Sequence, residues 1–144
     1  MSWYPVSGAG SYEVRRSSNG AAFQLVATPA TNAFLDTGRA AGVTYLYVVR
    51  ALGTTSGVSD DSAADAATTI EFTTDPLVAG NTPILLIHLE EARAAVNAFR
   101  AAAGLGEAAL TDPGATAGTP VKSDHILELR TALAQARTAL AMSA

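Results

Sequence analysis

Val43-Thr44-Tyr45-Leu46-Tyr47-Val48-Val49-Arg50-Ala51-Leu52 (VTYLYVVRAL) is the stretch that decides how this 144-residue chain is read. It is rich in β-branched and aromatic side chains, contains no proline, and lies between Gly42 and Gly53, which predicts a strand. Side chains of a strand alternate between faces, so Tyr45, Tyr47, Val49 and Ala51 share one face and Leu46, Val48 and Arg50 the other. An antiparallel sheet that meets water shows it a polar face. Here the second face is also apolar, which predicts that another element covers Leu46 and Val48.

Working outward, SYEVRR at 11–16 alternates apolar and polar residues and runs into Ser18-Asn19-Gly20, a hairpin-type turn. FQLVAT at 23–28 alternates more weakly and stops at Pro29; a shorter piece follows at 33–36, and Gly38 and Gly42 bracket the next turn. The segment 56–72 is polar and acidic at first and regains alternation at Thr69-Ile70-Glu71-Phe72. Near Asp75 the composition changes. Thr, Ser, Val and Tyr give way to Ala, Leu, Glu and Arg at helical spacing, which divides the chain into a β module at 1–73 and a helical module at 74–144.

The helical module is duplicated. Shifted by 37 places, Thr74-Asp75-Pro76 falls on Thr111-Asp112-Pro113 and Thr82-Pro83 on Thr119-Pro120. His88, Glu91, Arg93, Ala95, Arg100 and Ala102 fall on His125, Glu128, Arg130, Ala132, Arg137 and Ala139. The repeats span 74–104 and 111–141, each reading as a Thr-Asp-Pro turn, a loop and one helix. Thr82 and Thr119 are expected N-caps with Pro83 and Pro120 in the first helical position, and Gly104 is expected to end the first helix. The apolar stripes are Leu85, Leu89, Ala92, Val96, Phe99 and Ala103, and then Ile126, Leu129, Leu133, Ala136 and Leu140. The first turn Ile84-Leu85-Leu86-Ile87 is apolar all round, whereas its counterpart is Val121-Lys122-Ser123-Asp124. The first helix is therefore expected to start inside an interface formed by Leu46, Val48, Ile84, Leu86 and Ile87.

Two resemblances follow from these residues. Tyr12-x-Val14-x-Arg16, Phe34-Leu35-Asp36-Thr37-Gly38, Tyr45-x-Tyr47-x-Val49-Arg50-Ala51 and Gly57-x-Ser59 together resemble the latter part of a fibronectin type III domain, from Trp3 to about Thr69. The resemblance implies an antiparallel β-sandwich with Trp3 at the end of the second strand and Tyr45 as the corner tyrosine, tying a loop through its hydroxyl. The first strand and most of the second have no counterpart here, which leads us to expect a fragment of a longer protein. The pattern His-x-x-Glu-x-Arg on a helix opened by Thr-Pro resembles paired helical segments at the C-terminal ends of large bacterial secreted proteins, and implies no particular activity. The expected fold class is α+β: a partial fibronectin type III-like sandwich followed by a two-helix repeat.

Candidate chemistry is sparse. His88 with Glu91, and its copy His125 with Glu128, place an imidazole and a carboxylate three residues apart on one helix face, the spacing used by metal sites in helical bundles. The preferred reading is that each His caps or flanks the stripe and hydrogen-bonds its neighbouring Glu. Arg93 and Arg130 are expected to be solvated rather than paired across an interface. Asp60, Asp61 and Asp65 lack the spacing of a calcium loop. With two histidines, both on helices, no loop-borne nucleophile and base arrangement is seen.

Composition narrows the partners. A net charge of −4 and a pI near 5.0 offer no basic field for a nucleic-acid backbone. The chain contains no cysteine, so neither a disulfide framework nor thiolate chemistry is available. No apolar run is long enough to span a membrane, residues 1–10 do not resemble a signal peptide, and no cofactor is called for. The expectation is a secreted, non-catalytic structural, adhesion or self-assembly module that forms a dimer or filament or belongs to a larger parent chain. The alternative is a carbohydrate- or cell-surface-binding accessory module of a secreted enzyme.

Overall fold

The computed structural model describes residues 1–55, 57–116 and 118–142; Ser56, which opens the polar segment, and residues 117, 143 and 144 lie outside the described residues. Strands β1 (Ala9–Ser18), β2 (Gln24–Ala27), β3 (Thr44–Gly53) and β4 (Asp65–Thr68) form one antiparallel sheet in the order β2-β1-β3-β4. VTYLYVVRAL is its central strand, paired with β1 from Ala9 opposite Gly53 to Ser18 opposite Tyr45. The turn from β1 to β2 uses Asn19 and Gly20, both at positive φ, as a tight hairpin requires.

Two expected strands differ. Residues 33–36 form only an isolated bridge, Ala33 with Ser2, held by the Trp3 N–H donating to Asn32 O and the Phe34 N–H donating to Met1 O. The last strand is Asp65–Thr68 rather than 69–72, because Thr69 is used to close the neighbouring turn. Its hydroxyl accepts from the Val43 N–H and donates to Ala40 O. Among the described residues the layer opposite the sheet is thus the bridged pair rather than a second sheet.

The inner face carries the β core. Val14, Tyr45 and Tyr47 are buried there with Trp3, Val26, Phe34 and Val49 packed around them, and Trp3 meets Tyr12 edge-on at 5.3 Å. Tyr45 accepts a hydrogen bond from the Ala40 N–H at 3.1 Å. Tyr47 donates to Asp36, which also takes Arg16 at 2.6 Å and Arg39 at 3.2 Å. Burial and the Asp36 carboxylate push the Tyr47 phenol up to about 12. Burial works to raise the Asp36 carboxyl, but the hydrogen bonds from Arg16 and Tyr47 outweigh it and hold the group below its ordinary value.

Helix α1 (Leu86–Ala102) packs on the outer face against β3, β1 and β4, and this burial of Leu46 and Val48 explains why that face is apolar. The contact is made by the C-terminal half of the helix rather than by its first turn. Phe99 faces residues 63–66, Ala102 is buried, and the Gly104 backbone lies against Gly20. A Cβ on Gly20 would stand 2.8 Å from the Gly104 Cα, so hairpin and helix end approach as closely as bare backbones allow. Ile84 is instead 62% exposed and Ile87 38%, with Leu86 half-buried.

Helix α2 (Ser123–Ala139) packs on α1 through Leu89, Val96, Leu129 and Ala132. Along α1 from Arg93 to Arg100 the partner moves from Asp112, which His125 holds, to Ala132 and Gln135. Both helices therefore run in the same direction, and residues 103–122 carry the chain back. Parallel helices joined by a return loop are related by translation, as in stacked repeats.

Candidate functional site

The turns at Thr73–Thr74 and Thr111–Asp112 and the residues His88, Glu91, Arg93, His125 and Glu128 form joints within and between the two helical units, whereas Arg130 joins none of them among the described residues. Each helix begins three residues later than Thr-Pro predicts, with N-cap positions at Leu85 and Lys122. The reason lies in the histidines. His88 Nδ1 accepts the Leu85 N–H at 3.1 Å and His125 Nδ1 accepts the Lys122 N–H at 3.3 Å, bonds available only if the helix starts there. Thr82 and Thr119 serve the preceding turns, accepting from the Val78 and Thr116 N–H groups.

With Nδ1 accepting, Nε2 carries the proton and faces the turn. His88 Nε2 lies 3.2 Å from Thr74 Oγ1, and His125 Nε2 lies 3.2 Å from Asp112 Oδ2. Neither His bonds its helical neighbour Glu. Glu91 instead accepts from both the N–H and the hydroxyl of Thr73, and Glu128 from the same two groups of Thr111. These hydrogen bonds hold both carboxyls below their ordinary range. The ungapped alignment pairs Thr74 with Thr111, but the bonds pair Thr73 with Thr111 and Thr74 with Asp112. The turn to helix separations are one residue longer in the first unit, 18 and 14 against 17 and 13.

Arg93 departs furthest from expectation. It is 9% exposed, and its guanidinium donates to Thr111 O at 2.6 Å and Asp112 O at 3.0 Å, clasping the turn of the second unit to the helix of the first. Nothing in its spacing on α1 announces this, since its acceptors are main-chain carbonyls. Arg130 is exposed. Lys122 adds a bond to Asp112 at 2.7 Å; this bond first, and then that from His125, lowers the Asp112 carboxyl and makes its turn the more heavily tied of the two.

No group of three or more metal-ligating side chains gathers among the described residues. His88 and His125 belong to separate joints. Of the three acids at 60–65, Asp61 pairs with Arg15 at 2.7 Å and Asp65 accepts the Ala66 N–H at the start of β4.

Two surface features remain. Over the inner sheet face a cleft of about 360 Å³ is lined by Trp3, Tyr12 and Tyr47, with Asp60, Ser62 and Asp65 contributing polar groups. Trp3 Nε1 has no hydrogen-bond partner among the described residues. At the N-terminal ends of the helices Ile84, Leu85, Ile87 and Val121 line an exposed apolar groove. No described helix is long and apolar enough to cross a membrane.

No family model and no solved structure matches the chain. Over 69 residues, 48% of its length, the chain is 41% identical to a poly(3-hydroxybutyrate) depolymerase of Ralstonia pickettii. The matched stretch spans 13% of that enzyme.

Proposed function

We propose that the chain is a non-catalytic accessory module of a secreted polymer-degrading enzyme, an incomplete fibronectin type III-like domain joined to a helical repeat, which holds its parent protein to a carbohydrate or cell surface. The observation that carries this reading is the 41% identity to a small part of a much longer depolymerase, since a module shared with an enzyme is expected to match only a fraction of it. The β2-β1-β3-β4 order and the Ala40–Tyr45 hydrogen bond support the fibronectin-like assignment. Both histidines are engaged in capping and turn bonds, which supports a structural role for the repeat. The cleft beside Trp3, Tyr12 and Tyr47 joins aromatic rings to carboxylates and hydroxyls, the chemistry that receives the apolar face and hydroxyl edge of a sugar ring.

The test is sedimentation of the whole chain with insoluble cellulose, chitin and poly(3-hydroxybutyrate), together with an assay for released products. Saturable binding to a polysaccharide, weakened by Asp60→Ala or Trp3→Ala in protein that keeps its circular dichroism spectrum, is expected without product release. Absence of saturable binding to any of these, or product release above the buffer rate, would overturn the reading. A second reading, a structural or self-assembly module, draws on the exposed Ile84, Leu85, Ile87 and Val121.

A further inference from the structure

The two helical units share one complete joint, and each leaves half of another. On α1, Leu89, Arg93, Asn97 and Arg100 face the second unit. Leu89 is buried in the interhelical core, Arg93 clasps Thr111 O and Asp112 O, Asn97 accepts the Ala108 N–H, and Arg100 reaches Ala132 O and Gln135. The same positions on α2, 37 residues on, are Ile126, Arg130, Ala134 and Arg137. The helix thus repeats an apolar residue and an arginine four positions later, but what covers that pair on α1 does not cover it on α2. Ile126 is 48% exposed, and Arg130 is exposed with no hydrogen bond or ion pair among the described residues.

The missing half lies at the other end of the repeat. The first turn has the carboxylate and histidine of a joint, Glu91 on Thr73 and His88 on Thr74, but no arginine reaches its carbonyls among the described residues. Its chemistry is also less complete. Glu128 uses both carboxylate oxygens on Thr111, whereas Glu91 places both bonds on Oε1 and leaves Oε2 buried with no partner among the described residues. Because the helices are parallel and related by translation, the two half-joints lie at opposite ends of the repeat, one presenting an arginine and the other two carbonyls that have no partner among the described residues. Surfaces of this kind are heterologous: they join head to tail and leave each end open for the next copy.

We propose that Ile126 and Arg130 of one copy form a docking surface for the Thr73–Thr74 turn of a second copy of this chain, with the Arg130 guanidinium donating to the carbonyls of Thr73 and Thr74 as Arg93 donates to those of Thr111 and Asp112. The occupant follows from continuity with the joint inside the chain, where the same arginine position already holds the same kind of turn. The surface is separate from the aromatic cleft and does not rest on the carbohydrate reading; a failure of one leaves the other standing.

Sedimentation velocity over a concentration series, on the whole chain and on Arg130→Ala and Arg130→Glu, tests this. Arg130 is exposed, so both variants are expected to keep the thermal midpoint of the parent. The parent should grow beyond a dimer as concentration rises, and each variant should lower the association constant about tenfold or more, the loss expected when charge-assisted hydrogen bonds are removed. Ile126→Glu should act in the same direction. A parent chain that stays monomeric throughout, or one that associates as strongly with Arg130 replaced, would overturn the proposal.

Discussion

Arg93 in the first helix donates to the carbonyl oxygen of Thr111 at 2.6 Å, 18 residues further along the chain, and so fastens the turn of one repeat to the helix of the other. The bond unites a charged donor with a neutral main-chain acceptor, and the arginine is buried, so water cannot readily replace either partner. Its repeat counterpart, Arg130, is exposed.

Arg93→Ala should therefore lower the unfolding free energy by about 2 kcal/mol or more, since it removes two charge-assisted bonds and strands the carbonyls of Thr111 and Asp112. Arg130→Ala in the monomer should fall within about 0.5 kcal/mol of the parent, as exposed substitutions do. Urea denaturation at low protein concentration compares them; equal losses would contradict the assignment of Arg93 as the clasp.

The docking of α1 predicts another contrast. Val48→Glu should cost about 3 kcal/mol or more, because it buries an unpaired charge beneath the helix, 5% exposed in the parent. Ile87→Glu, on a side chain 38% exposed, should cost less than about 1 kcal/mol. Thermal unfolding checks both, and a large loss at Ile87 would place the first turn in an interface within the chain.

Gly20 and Gly38 both adopt φ of +69°, yet only Gly20 has a neighbour in its way, the Gly104 backbone. Gly38→Ala should cost about 1 kcal/mol, the strain of a left-handed alanine. Gly20→Ala should cost at least about twice as much and should loosen the contact between hairpin and helix, read as faster amide exchange near Ala102.

Acid should weaken the joints. The hydroxyl of Thr73 lowers the Glu91 carboxyl, that of Thr111 lowers Glu128, and Lys122 followed by His125 lowers Asp112. A carboxyl lowered on folding stabilises the protein fully above its unfolded pKa, about 4 for these groups, and stops doing so as pH falls through the folded value. The thermal midpoint should thus hold between pH 7 and about 5 with respect to these groups and fall below about 4. Asp112→Asn should reduce part of that fall, measured by differential scanning fluorimetry from pH 2.5 to 7.

By itself the sequence determined the elements and their order. The alternation of 43–52 specified the central strand and its two apolar faces, Ser18-Asn19-Gly20 specified the hairpin, and the repeat of His-x-x-Glu-x-Arg specified two equivalent helices, because each signal is local and depends on side chains a few residues apart. The cover for Leu46 and Val48 was also legible, since an apolar outer face demands a partner. Only the tertiary structure decided which part of α1 supplies it. That depended on the approach of Gly20 to Gly104, two glycines with no side chain to advertise a contact. The helix starts, the parallel course of the two helices and the buried role of Arg93 were likewise decided in three dimensions. Their bonds run from side chains to main-chain N–H and carbonyl groups, which every residue carries and no sequence pattern marks.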